Sequence, residues 1–130
     1  MLIDSHCHLD FPDLANNIDE ILENMKNNEV THALCVSVNL EDFPRLLLLA
    51  KGYPNLYASV GVHPDYEALT EPKSKELVSL AENPKVIAIG ETGLDYSRIK
   101  GDLEWQRNRF REHIRAAREC NKPLIIHTRE

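Results

Sequence analysis

No glycine-rich turn follows the first apolar run of this 130-residue sequence; "SHCHLD" stands where a doubly wound nucleotide-binding fold would carry its phosphate-cradling glycines. Cysteine is scarce too. Cys7, Cys35 and Cys120 are odd in number and form no CxxC pair, which favours reduced thiols over a disulfide framework. No apolar run approaches the roughly 18–20 residues that cross a bilayer, and no basic stretch followed by an apolar one opens the chain. The expectation is a cytoplasmic protein with no membrane partner. Lys and Arg number 15 against 21 Asp and Glu, for a net charge of −6. Such a chain binds nucleic acid backbone poorly without help, so a phosphodiester substrate would need local cations to hold it. The imbalance is uneven: residues 1–97 carry 6 Lys/Arg and 16 Asp/Glu, residues 98–130 carry 9 and 5.

Five short, largely β-branched runs are present: "LIDSH" (2–6), "HALCVSV" (32–38), "LYASVGV" (56–62), "VIAIGE" (86–91) and "PLIIH" (123–127). Between them lie four helical patterns. Ile18, Ile21, Leu22 and Met25 mark the first; Leu46, Leu47 and Ala50 the second; Leu77, Leu80 and Ala81 the third. Leu103, Phe110, Ile114 and Ala117 mark the longest. Strand–helix–strand units in one sheet run parallel with right-handed crossovers, and strands with little alternation are buried on both faces. The missing glycines favour a (β/α)8 barrel of TIM type over an open sheet. A closed barrel needs eight strands and roughly 250 residues. The reading is therefore an incomplete barrel of about five parallel strands and four helices, with residues 1–130 the N-terminal part of one domain. Its uncovered apolar surface would favour self-association.

Barrel chemistry gathers at the carboxyl ends of the strands. Those ends carry His6 and His8, then Ser37 and Asn39, His63, Glu91 and His127. Alternation along the first strand puts His6 and His8 on one face, with Ser5 and Cys7 on the other. Imidazole and carboxylate donors without thiolate suit zinc, manganese, iron or magnesium. Groups spread over three strands suit an open binuclear site, in which a carboxylate bridges cations about 3.5–4 Å apart. Glu91 is the natural bridge. A coincidental surface pair is the plainer reading of His6 and His8 alone.

With "DSHCHLD" (4–10), "GVHPDY" (61–66), "GETGLDY" (90–96) and "KPLIIHTRE" (122–130), the sequence resembles the first half of the TatD family of metal-dependent deoxyribonucleases, within the amidohydrolase-like superfamily. The resemblance implies that His6, His8 and Glu91 bind one divalent ion, with Glu91 and His127 contributing to a second. Mg, Mn and Zn are the candidates. It implies a further histidine and aspartate from later strands, and an exonuclease acting on single-stranded DNA or 3′ ends. Glu91 takes the catalytic role, orienting or deprotonating the attacking water. His63 is assigned to the substrate phosphate or leaving group, and Arg129 to the phosphate because a guanidinium matches phosphate oxygens in pairs. Asp95 and Asp4 are read as supports. Arg107, Arg109, Arg111, Arg115 and Arg118 are read as a solvated helix face, His32 and His113 as ordinary, and Trp105 as an anchor for the last helix. Two rivals stand beside the nuclease: a related hydrolase acting on C–N or ester bonds, and a silent fragment or binding module. The isolated 130 residues are expected to bind divalent metal weakly and to show little nuclease activity.

Overall fold

The five apolar runs form five strands in one sheet, β1 (Leu2–Cys7), β2 (Val30–Cys35), β3 (Leu56–Val60), β4 (Val86–Asp95) and β5 (Leu124–Arg129), side by side in chain order. All four pairings are parallel, and the sheet curls into a half-barrel. The computed structural model describes residues 1–68 and 70–130.

Helices α2 (Ile18–Asn27), α3 (Phe43–Lys51), α4 (Ser74–Leu80) and α5 (Glu104–Cys120) lie between the strands where the sequence periodicity puts them. A fifth helix, α1 (Pro12–Ala15), was not expected. It is a single turn opened by proline in its first turn, a position where the ring's fixed φ suits the helix and the missing N–H is no loss. Four residues are too few to show a 3.6-residue period, which is why the pattern passes over it.

Leu46, Ala50, Leu77 and Ala81 turn inward from α3 and the α4 segment to meet Leu56, Ala58, Val60, Val86 and Ile89 of the central strands. Central β3 and β4 are covered on both faces, and their residues are buried almost without alternation. The outer strands differ: Leu2 and Ile3 of β1 are 60% and 62% exposed, and Ile126 of β5 is 53% exposed. Apolar side chains thus stand open at both edges of the sheet.

Helix α5 departs most from its sequence reading. Arg109 is buried, not solvated. Its Nε and Nη2 donate to Glu71 at 2.7 and 2.6 Å, and its Nη1 donates to the carbonyls of His63 and Tyr66 at 2.7 and 2.8 Å. A guanidinium has five donors, and Arg109 uses them to pin the segment after β3 onto the helix. His113, one turn on, is fully buried. Its Nδ1 donates to the Arg109 carbonyl at 2.7 Å, and its Nε2 accepts the Val62 N–H at 2.9 Å. Burial lowers its pKa to about 4. His32 lies within β2.

Candidate metal centre

Two interruptions in strand pairing shape the rim. Asp4 stands beside Ala33 and Cys7 beside Cys35, so three steps on β1 match two on β2. His6 lies in that bulge, its N–H donating to Asp4 Oδ1 at 3.0 Å. On β4, Gly90 pairs with Ile125 and Thr92 with Ile126, leaving Glu91 as the extra residue. Bulges re-aim side chains that plain alternation would send elsewhere. His6 and His8 do come together, with ring centroids 5.3 Å apart. Their meeting depends on the bulge and on the strand ending at Cys7, so alternation alone is not its cause. Cys7 turns away, its thiol donating to the Leu34 carbonyl at 3.3 Å.

Glycine makes the approach of β4 to β5 possible. Gly90 and Gly93 have φ of +146° and +134°, which side chains other than hydrogen strain to adopt. A Cβ on Gly90 would sit 2.6 Å from the Ile125 carbonyl oxygen, and one on Gly93 would collide with that of His127. The close backbone contact sets Glu91 beside His127.

The Glu91 carboxylate is buried, and its two oxygens face different partners. Oε2 lies 3.4 Å from His6 Nε2. Oε1 lies 3.2 Å from His127 Nδ1 and 3.8 Å from His63 Nε2. His8 donates from Nδ1 to the Val36 carbonyl at 3.0 Å, which leaves Nε2 with a lone pair. Ligand atoms of His6, His8 and Glu91 lie within 4.8 Å of one another, and so do those of His63, Glu91 and His127. Both donor sets fit a divalent cation in their chemistry. Three donors each leave coordination positions open, as a catalytic site requires.

A layer of carboxylates holds the histidines from behind. Asp95 Oδ2 is 2.9 Å from His127 Nε2 and 3.3 Å from Arg129 Nε, and Asp95 Oδ1 accepts the N–H groups of Ser97 and Arg98. Burial pushes the Asp95 carboxyl up, but His127, the two N–H groups and Arg129 outweigh it and hold it below the usual range. Gln106 on α5 clamps the same residue: its Oε1 accepts the Asp95 N–H, and its Nε2 donates to the carbonyls of Asp95 and Pro64, each at 3.1 Å. His63 Nδ1 sits 2.6 Å from Asp65 Oδ1, and Asp65 Oδ2 in turn meets Arg98 at 3.1 Å. Burial lowers the His63 pKa against the pull of Asp65 and Glu91.

Every residue assigned from sequence lies in one place. His6, His8, His63, Glu91 and Arg129 line a rim pocket of about 360 Å³, and His127 Nδ1 lies 3.2 Å from the Glu91 carboxylate. Ser37 and Asn39 do not join them. The buried Ser37 hydroxyl faces the carbonyls of Asn39 and Gly61 at 3.0 Å each, and Asn39 binds Asp42. Ser37 and Ser59 instead fix the backbone under the site: Ser59 Oγ donates to the Gly90 carbonyl at 2.7 Å, and the Glu91 N–H donates to the Ser37 carbonyl at 2.9 Å. Sequence reasoning missed Gln106, Ser59 and Arg109, which carry no spacing signal because their partners are distant in the chain.

A model of the family described as TatD related DNase matches residues 3–130. The chain belongs to that family. It is 42% identical over 131 residues to an uncharacterized metal-dependent hydrolase of Buchnera aphidicola subsp. Baizongia pistaciae, covering 98% of this chain and 49% of that protein. Identity is 37% over 133 residues to the uncharacterized metal-dependent hydrolase YcfH of Escherichia coli K12, covering 99% and 49%. Among solved structures, the TatD homologue YJJV of Escherichia coli K12 superposes with a TM-score of 0.82 at 31% identity, covering 99% of this chain and 51% of that one. A TatD family hydrolase from Entamoeba histolytica gives 0.85 at 29% identity, covering 99% and 50%. This TatD-family chain thus spans about half the length of the relatives it matches, and the family is one of metal-dependent hydrolases.

Proposed function

We propose that residues 1–130 are the N-terminal part of a TatD-type barrel domain that hydrolyses phosphodiester bonds in DNA, as a cytoplasmic exonuclease acting on single strands or 3′ ends. The observation that carries this reading is the buried Glu91 carboxylate, with one oxygen toward His6 and the other toward His63 and His127. His6, His8 and Glu91 are assigned to one divalent cation, Glu91 and His127 to a second. When bound, such ions neutralise a scissile phosphate and make an attacking water more acidic. Glu91 orients that water from between the two donor sets. Asp95 holds His127 in place, which is how a carboxylate behind a ligating histidine fixes its tautomer. Arg129, half open to the pocket, is assigned to the phosphate oxygens. His63, whose Nε2 lies 3.8 Å from Glu91 Oε1, is assigned to the same phosphate.

The test compares fluorescently labelled single-stranded DNA with small amides and lactones, each with Mg2+, Mn2+ or Zn2+. DNA cleavage that disappears with EDTA and with Glu91→Gln supports the assignment; it is expected to be slow for these 130 residues. Hydrolysis of amides or lactones without DNA cleavage overturns it.

A further inference from the structure

The rim pocket has one wall that metal chemistry leaves unexplained. Phe11 lines it beside His8, Glu91 and Arg129, and its ring lies nearly parallel to that of His8, at 16° with centroids 4.7 Å apart. The ring lies outside the hydrophobic core. Leu9, two residues earlier, is buried, whereas Phe11 stays 39% exposed. Nor is its segment loose: the Phe11 N–H donates to the His8 carbonyl at 3.1 Å, and the Phe11 carbonyl accepts from Leu14 and Ala15 at 2.9 and 2.8 Å. A fixed, half-open aromatic ring that shares a pocket with Val38 and Tyr66 as well as with His6, His8, Glu91 and Arg129 is an apolar surface held ready for a planar partner.

We propose that Phe11 is a stacking platform for an unpaired nucleobase, so that the site selects a nucleotide at a single-stranded or frayed end over a bare phosphodiester. This rests on the nuclease reading and adds to it the part of the substrate that confers preference. Every base presents a π face, so stacking tolerates any sequence, and each stacked base strengthens binding about tenfold or more. The same pocket carries Arg98 and Arg129, whose guanidinium groups suit the phosphate of the same nucleotide. A small lactone or amide offers neither group. Paired DNA keeps its bases within the helical stack and away from Phe11.

Calorimetry at saturating Mn2+ compares the 130-residue chain's affinity for thymidine 5′-monophosphate with that for 2-deoxyribose 5-phosphate, which has the sugar and phosphate but no base. The expected result is an affinity about tenfold higher for the nucleotide. Phe11→Ala should bring the nucleotide down to the level of the sugar phosphate, and Phe11→Trp should keep the preference. Equal affinities in the unaltered chain overturn the platform while leaving the phosphodiester reading intact, and so does a preference that survives Phe11→Ala. If neither compound binds although Mn2+ does, the nuclease reading falls and the platform with it. Should the alanine variant not fold, the unaltered chain and the tryptophan variant still decide.

Discussion

Arg109→Met tests whether α5 holds the site from outside the barrel. The guanidinium makes two bonds to Glu71 and one each to the carbonyls of His63 and Tyr66. The Glu71 side chain is 39% exposed and regains water when released, so that pair is discounted to about 1 kcal/mol. The two carbonyls lose a charged donor in a place where Arg109 itself is only 3% exposed, adding about 2 kcal/mol. The sum is about 3 kcal/mol, or about 10 °C in Tm for a domain of this size. Urea denaturation followed by circular dichroism measures it, with Arg111→Ala as control. Among the described residues, Arg111 is paired only with exposed groups on its own helix, so its loss should stay within about 0.5 kcal/mol. Because one freed carbonyl belongs to His63, Mn2+ affinity should also fall in Arg109→Met. A loss below about 1 kcal/mol, or one matched by Arg111→Ala, would refute the claim that this arginine is structural.

His113 predicts a pH dependence. Its folded pKa of about 4 lies below the ordinary 6.5, so its contribution is fully present above pH 6.5 and is lost as pH falls toward 4, reaching about 2 kcal/mol by pH 5. Denaturation at pH 7 and pH 5 should show that difference, reduced in His113→Gln; an unreduced difference assigns it elsewhere. Asp95→Asn removes the carboxylate behind His127 and should weaken Mn2+ binding about 10- to 100-fold by calorimetry, whereas unchanged affinity would deny Asp95 that role. Gly93→Ala should destabilise by about 2–3 kcal/mol, through positive φ plus collision with the His127 carbonyl. Gly101→Ala, with φ of +101° but open space around it, should cost only about 1 kcal/mol; equal losses would remove the argument from close approach.

The strands and the four longer helices were legible because each repeats its pattern over enough residues to show a period, as Ile18, Ile21, Leu22 and Met25 do on α2. His6, His8, Glu91 and His127 were legible as a group because all four lie toward the carboxyl ends of their apolar runs. Strands β4 and β5 nevertheless continue past Glu91 and His127 to Asp95 and Arg129, and the same rule also named Ser37 and Asn39, which stand apart. What stayed hidden was every contact made across the chain. Arg109 and Arg111 look alike in "RNRFR", yet one is buried against residues 38 to 46 positions away and the other lies on the surface. The bulges at His6 and Glu91 were hidden for a related reason: register is a property of two strands, and each was read alone.

Glu91 has a consequence for how the centre would load. A side chain with one oxygen committed to each donor set loses its rotational freedom to whichever ion arrives first, and the later ion meets a ligand already stilled. On the two-ion reading proposed above, occupancy of the two positions should therefore rise together with ion concentration, in a curve steeper than independent binding allows.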